Sequence, residues 1–261
     1  MTKRPFFLIT GDDSIRAPGI ILLKRIVESF ADFAIIATKD QKSAQGSGLS
    51  VAGSTWGTEI VDGCEAIWVD GTPSDAIYLA FERLERKPDL ILSGVNLGFN
   101  NSNAIHRSGT IAAVVTAAQS RATPGIAFSL NSPDSVLFKN HEQNAAFNLQ
   151  LLEYPGVLIR NIIEKALAYT FQPGSFWNVN FPTEPVNQLY VVPTGPGDYW
   201  KNHQIITDGS FEYVLSHKAT ESLPDCDTKF NNKSKATITP CRLTFTIESE
   251  LEPLEQLFSN I

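Results

Sequence analysis

Two adjacent carboxylates, Asp12 and Asp13, follow directly on a short apolar run, FFLIT at 6–10. Neighbouring carboxylates repel unless a cation lies between them, so the pair suits a hard divalent ion. One of them could instead simply cap a following helix, since helix starts favour Asp. Asn96 ends a later apolar run, and its amide oxygen is an acceptable neutral ligand for Mg or Mn, although alone it would read as a turn residue. Ser108, Gly109 and Thr110 open the pattern SGTIAAVVTAA. Backbone N–H groups and hydroxyls at a helix start can hold a phosphate against the positive end of the helix dipole, or Ser108 can serve as an ordinary cap. Taken together, these residue types point to a cation bridging to a small anionic substrate. GSGLSV at 46–51 lacks the strand-to-helix setting of a dinucleotide fingerprint, and no P-loop is present. His203 and His217 could each protonate a leaving group, but a lone histidine is more often structural, and both stay outside the catalytic set.

The elements that must position these residues alternate. FFLIT reads as a buried strand, and Pro18 opens a helical pattern through Leu23, Ile26, Val27 and Phe30. AIIA at 34–37 is a second strand, 38–50 a long exposed loop, and AIWV at 66–69 a third strand. Thr72 with Pro73 marks the start of a helix to about Leu84, DLILSGV is a fourth strand, and GIAFSL at 125–130 a fifth. A helix is expected from about Asn140 to Leu152, interrupted near Pro155 and continuing through Ile159, Ile162, Ile163 and Ala166. After FWNVNF at 176–181, QLYVVP and RLTFTIE read as short strands, with 194–210 and 218–236 as polar stretches. The expected fold is α/β: a Rossmann-like three-layer α/β/α arrangement with a mostly parallel sheet, plus a C-terminal antiparallel β extension. Residues 1–185 form the core and 186–261 the extension. Ligands in such sheets bind at the carboxyl ends of the strands, where Asp12, Asp13 and Asn96 stand.

Composition narrows the partners. A chain of 261 residues with 43% hydrophobic and 19% charged residues can bury one substantial core, and no stretch reaches the roughly 20 apolar residues of a membrane span. The apolar run near the N-terminus is too short for an export signal, so a cytoplasmic protein is expected. A net charge of −7 gives little attraction for a nucleic-acid backbone, so any nucleotide partner is small. Cys64, Cys226 and Cys241 lack metal-site spacing and read as buried free thiols.

LITGDDSIRAPGI (8–20), SGVNLGFN (93–100) and RSGTIAA (107–113), in this order and spacing, resemble the SurE family of survival-protein nucleotidases. The resemblance extends through VDGTPSDAIYLA (69–80), KPDLILSG (87–94), FWNVNFP (176–182), Asp227 and TITP (237–240). It implies a metal-dependent phosphomonoesterase that hydrolyses nucleoside monophosphates, 5′ or 3′, to nucleoside and phosphate. It implies that Asp12, Asp13, Ser43 and Asn96 hold one divalent ion per subunit, Mg or Mn. Ser108, Gly109 and Thr110 would face the substrate phosphate, with Asn100 beside it. Asp12 and Asn96 form the catalytic set, Asp12 orienting or deprotonating a water, with a phosphoaspartate on Asp12 as the alternative. A homodimer or homotetramer exchanging its C-terminal extension is also implied, with no long nucleic acid and no membrane as partner. Two departures touch the first motif: Gly11 stands for the family's usual asparagine, and Ser14 for its usual glycine, which strains Ser14 if the position needs positive φ. Arg107 stands where the family commonly has an aromatic residue, and either adds charge near the phosphate or pairs with a surface carboxylate. The competing readings are a catalytically weakened nucleotide- or phosphate-binding module and a phosphatase of the haloacid dehalogenase type, which wants D-x-D where this chain has DD.

Overall fold

The structure is a computed structural model that describes residues 4–131, 149–196, 203–213, 223–243 and 248–258. Alternating apolar residues on β1 (Phe6–Thr10) send Phe7 and Ile9 to one face of a sheet and Leu8 to the other. Both faces are buried, as continuous apolar strands require. On the Phe7 face lie α1 (Pro18–Val27) and α5 (Gly156–Leu167), which bury Leu23, Ile26, Ile159 and Ile163. On the Leu8 face lie α2 (Pro73–Arg83) and α3 (Gly109–Ser120), with Ile77, Ala80, Ala113 and Val114 in the core. Each fully buried Leu, Ile or Phe contributes roughly 1.5–3 kcal/mol, so these two layers dominate the stability. The fold is therefore the three-layer α/β/α arrangement expected.

Among the described residues the main sheet has nine strands, in the order β3 (Trp56–Val61), β4, β2, β1, β5, β6, β7, β11 (Ala236–Arg242) and β8 (Leu189–Val191). The inner strands β4 (Cys64–Val69), β2 (Asp32–Thr38), β1, β5 (Leu90–Leu97), β6 (Gly125–Leu130) and β7 (Ser175–Phe181) are parallel. From β1 the chain winds to β2 on one side and is flanked by β5 on the other, so the strand order reverses there. That crevice is where ligands bind in open α/β sheets.

Three features differ from the sequence expectation. First, Trp56–Val61 (β3) pairs antiparallel with β4 through an Asp62–Gly63 turn, both residues with positive φ (46° and 81°). Asp-Gly is the residue pair such a two-residue hairpin prefers. Second, the late strand β11 falls at Ala236–Arg242, earlier than RLTFTIE, of which residues 244–247 lie outside the described residues. Pro240 sits inside it: β7 pairs with Thr237–Arg242, while β8 (Leu189–Val191) reaches only Ala236–Ile238, so the lost donor of Pro240 is tolerated. Third, the polar stretches hold elements: β9 (His203–Thr207), which pairs with β10 (Ser210–Tyr213), and the short helix α6 (Asp227–Asn231). Most of the helix expected from Asn140 lies outside the described residues; within them, α4 (Gln150–Glu153) stands before Pro155. A final helix, α7 (Leu251–Phe258), follows a turn of 3-10 helix. Cys64, Cys226 and Cys241 are free thiols, of which Cys226 is buried and the other two half-buried. Among the described residues no helix is long and apolar enough to cross a membrane.

Candidate active site

β1 delivers Asp12 and Asp13 to the crevice and buries them, leaving 4% and 7% of each residue exposed. Asp12 faces the start of α3. The Thr110 hydroxyl donates to Asp12 Oδ1 at 2.6 Å, and Gly109 makes room for the carboxylate, since a Cβ there would lie 2.6 Å from Asp12 Cβ and 2.7 Å from Oδ2. Asp13 faces the end of β5, where it accepts from the Leu97 backbone N–H, and from the Gln41 side chain. Burial, reinforced by the Asp12 charge, pushes the Asp13 carboxyl up to about 8. The structure thus joins Asp12 to the helix start and Asp13 to the strand that carries Asn96.

Asn96 donates its amide N–H to Gly98 O at 2.9 Å, which turns its Oδ1, the atom able to ligate, away from that carbonyl. Ser43 is exposed in the loop after β2. That loop is fastened on both sides of it: Lys42 N–H donates to Asp12 O at 2.7 Å, and Gly46 N–H to Arg107 O at 2.8 Å. Ser108 is the N-cap of α3, its Oγ accepting from Ile111 N–H at 3.2 Å. The hydroxyls of Ser108 and Thr110 are thus engaged within the protein, so what this helix start offers an anion is chiefly its first-turn N–H groups and dipole. Asn100 lies deeper. Its amide donates to Ser129 Oγ at 3.0 Å, its N–H to Asn180 Oδ1 at 2.9 Å, and its carbonyl accepts from Asn178 and Asn180. One of its two amide hydrogens is therefore committed to the sheet. His203 begins β9, and His217 lies outside the described residues.

The donor set suits a hard cation. The side chains in question are all oxygen donors: the carboxylates of Asp12 and Asp13, the amide of Asn96 and the hydroxyl of Ser43. Two buried carboxylates with neutral amide and hydroxyl oxygens suit Mg or Mn, and burial together with the adjacent Asp12 charge raises the Asp13 carboxyl, a cost that a cation between the two would relieve.

Ser14 has φ 88°, so the condition for strain at this departure is met. Its N–H reaches Thr38 Oγ1 at 3.3 Å and its Oγ accepts from Arg16 N–H at 3.2 Å, contacts that hold it in this conformation. Ser14→Gly is expected to stabilise the protein by about 1 kcal/mol, raising the melting temperature by roughly 2–4 °C, because left-handed backbone costs a serine more than a glycine. A melting temperature that falls would show that the Ser14 hydroxyl outweighs the strain.

Local chemistry alone could not reveal that Thr110 holds Asp12, that Gln41 reaches Asp13, or that Gly19 abuts β5. A Cβ on Gly19 would meet Val95 O, N and C at 2.1, 2.4 and 2.7 Å. Gly19 lies within the block LITGDDSIRAPGI, but its residue type alone says nothing of this contact.

The description Survival protein SurE matches residues 7–200. Relatives called 5′-nucleotidase SurE include one from Protochlamydia amoebophila, 32% identical over 93% of this chain and 92% of its own length. Another, from Methanobrevibacter smithii, is 30% identical over 94% of this chain and 96% of its own length. Among solved structures, the SurE protein from Aquifex aeolicus superposes with a TM-score of 0.75 at 24% identity, covering 97% of this chain and 99% of that one, which supports the fold. With the motif blocks sitting together at the sheet's switch point, the chain belongs to the SurE family.

Proposed function

We propose that this chain is a metal-dependent phosphomonoesterase that hydrolyses nucleoside monophosphates to nucleoside and phosphate. The observation that carries the reading is the placement of two buried carboxylates in the crevice, Asp12 against the start of α3 and Asp13 against the end of β5, in a chain whose relatives are called 5′-nucleotidases. Family membership sets the D-x-D alternative aside.

Asp12, Asp13, Asn96 and, from the loop beside them, Ser43 would hold one divalent ion, Mg or Mn. When bound, it supplies charge neutralisation on phosphoryl oxygens and acidifies water. The chain's own residues do the rest. First-turn N–H groups at Gly109 and Thr110 bind phosphate oxygens, Ser108 shapes that turn as its cap, and Asn100 sets the loop alongside. Asp12 orients the attacking water and accepts its proton, and the Thr110 hydroxyl fixes the Asp12 rotamer for that task. Incubation with 32P-labelled substrate and acid quench separates this role from a phosphoaspartate. No label is expected on the protein, and label lost in Asp12→Asn would assign Asp12 as nucleophile instead.

Asp13 gives the binding a pH signature. Its folded value lies above that of an ordinary carboxylate, so without a cation its stability contribution is full at low pH and is lost as pH rises through about 8. A cation takes the place of that proton. Apparent affinity for Mn should rise about tenfold per unit between roughly pH 6 and 8 and level off above, measured by calorimetry. A flat profile over that window would contradict the assignment of Asp13 as a ligand. The same reading makes the enzyme cytoplasmic and a homodimer or homotetramer through residues 186–261; a mass measurement giving only monomer would overturn the oligomer.

A further inference from the structure

Asp227 lies in the extension and is fully buried in α6. Its Oδ2 accepts from Ser102 N–H at 3.0 Å, and its Oδ1 from Gly195 N–H at 2.8 Å and Thr228 N–H at 2.6 Å. Burial pushes this carboxyl upward, and the three backbone donors oppose the shift. Burying a carboxylate costs more than an apolar side chain of the same size, so packing alone does not account for it. What it holds is specific. Ser102 has φ 52°, a left-handed conformation unusual for serine, and begins the 3-10 turn Ser102–His106 that leads to Ser108.

One helical turn on, Asn231 Oδ1 accepts from Asn101 Nδ2 at 2.8 Å, while Asn231 Nδ2 donates to Lys235 O and Thr237 Oγ1, both at 3.1 Å. With Asn178 and Asn180 gripping Asn100, three consecutive residues of the loop between Asn96 and Ser108 are each held by a side chain distant in sequence. Asn101 Oδ1 and Asn178 Oδ1 are left buried without a partner among the described residues. Each such atom forfeits a hydrogen bond, a penalty suited to fixing a shape rather than maximising stability.

We propose that Asp227 is a positioning residue for phosphate-ester binding: through Ser102, with Asn231 acting in parallel through Asn101, the C-terminal extension sets the loop that joins the Asn96 side of the site to the start of α3. The proposal rests on the phosphomonoesterase reading and on the placement of Asp227, not on any contact between Asp227 and substrate. Asp227→Asn is the direct test. An Asn that keeps its Oδ1 on Gly195 and Thr228 turns an NH2 toward the Ser102 N–H and breaks that one tie.

Phosphate release by the parent protein comes first, with Mn and a nucleoside monophosphate; an inactive parent overturns the function, and with it this inference. Given an active parent, Asp227→Asn should raise KM at least tenfold, while Mn affinity by calorimetry stays within twofold, because the carboxylate pair is tied to α3 and β5 by other contacts. KM and kcat both unchanged in a folded variant would overturn the proposal. So would Mn affinity falling in step with KM, which marks a general loss of structure. Should Asp227→Asn fail to fold, Asn101→Ala must show the same split between KM and Mn affinity, and absence of that split overturns the proposal equally. In the double variant the combined KM increase should fall short of the product of the single effects, since both ties hold one loop.

Discussion

Asp12→Asn is expected to lower phosphate release at least a hundredfold and to weaken Mn binding, with the fold retained. The carboxylate occupies a socket cut to its shape: Thr110 donates to Oδ1 at 2.6 Å, and the missing side chain of Gly109 accommodates Oδ2. An amide of the same size still fits that space. Its Oδ1 can still accept from Thr110, so packing changes little. What is lost is a negative charge beside Asp13, and with it a ligand and the base that would take a proton from water. Removal of one well-placed electrostatic or proton-transfer group typically costs a factor of about 10²–10⁴ in rate. The charge removal also relieves Asp13, so the Asp13 carboxyl should titrate lower in the variant, an NMR-observable shift opposite in sign to the loss of metal affinity. Activity near that of the parent would remove Asp12 from the mechanism.

Gly19→Ala should cost about 3 kcal/mol or more, a drop of roughly 6–12 °C in melting temperature for a protein of this size. Gly19 is the second residue of α1, where the helix start meets the backbone of Val95 near the end of β5. A methyl group there would lie 2.1 Å from Val95 O, closer than any carbon–oxygen contact permits, and backbone cannot swing aside as a flexible side-chain tip does. Either α1 or the end of β5 must shift. Because Asp13 precedes α1 and Asn96 follows Val95, the shift also spreads the two sides of the crevice, so Mn affinity should fall as well. Gly11→Ala is the matched control. The nearest atoms to its Cβ would be Ile20 Cδ1 at 3.4 Å, Gly94 N at 3.6 Å and Gly94 Cα at 3.8 Å, all ordinary contacts, so its stability should change by less than about 1 kcal/mol. Equal melting temperatures for Gly19→Ala and the parent would show that the approach of α1 to β5 is looser than described.

Much of this architecture was legible in the sequence because the signals are local. GIAFSL coincides with β6, and Thr72-Pro73 opens α2 with a capping box in which Thr72 and Asp75 bond each other's backbone N–H. β3 escaped because its alternation is broken by Gly57. That residue pairs with Trp68 across the hairpin and must lack a side chain, since a Cβ would lie 2.5 Å from the indole. The carboxylates, the asparagine and the helix start were legible as types in an order. Their mutual contacts were not, because Asp12 and Thr110 meet across 98 positions and Ser102 and Asp227 across 125, distances at which no periodicity speaks. Asn100 shows the difference: its residue type suggests a ligand contact, while its neighbours show a side chain half committed to Ser129.

The most direct test of the central claim is phosphate release from a panel of 5′- and 3′-nucleoside monophosphates, with Mg, with Mn and with chelator. The proposed function predicts release that depends on the added ion, disappears with chelator and differs in rate between bases and phosphate positions. Nucleotide bound with no phosphate released under any ion would contradict it, and would make the chain a binding module built on the same site.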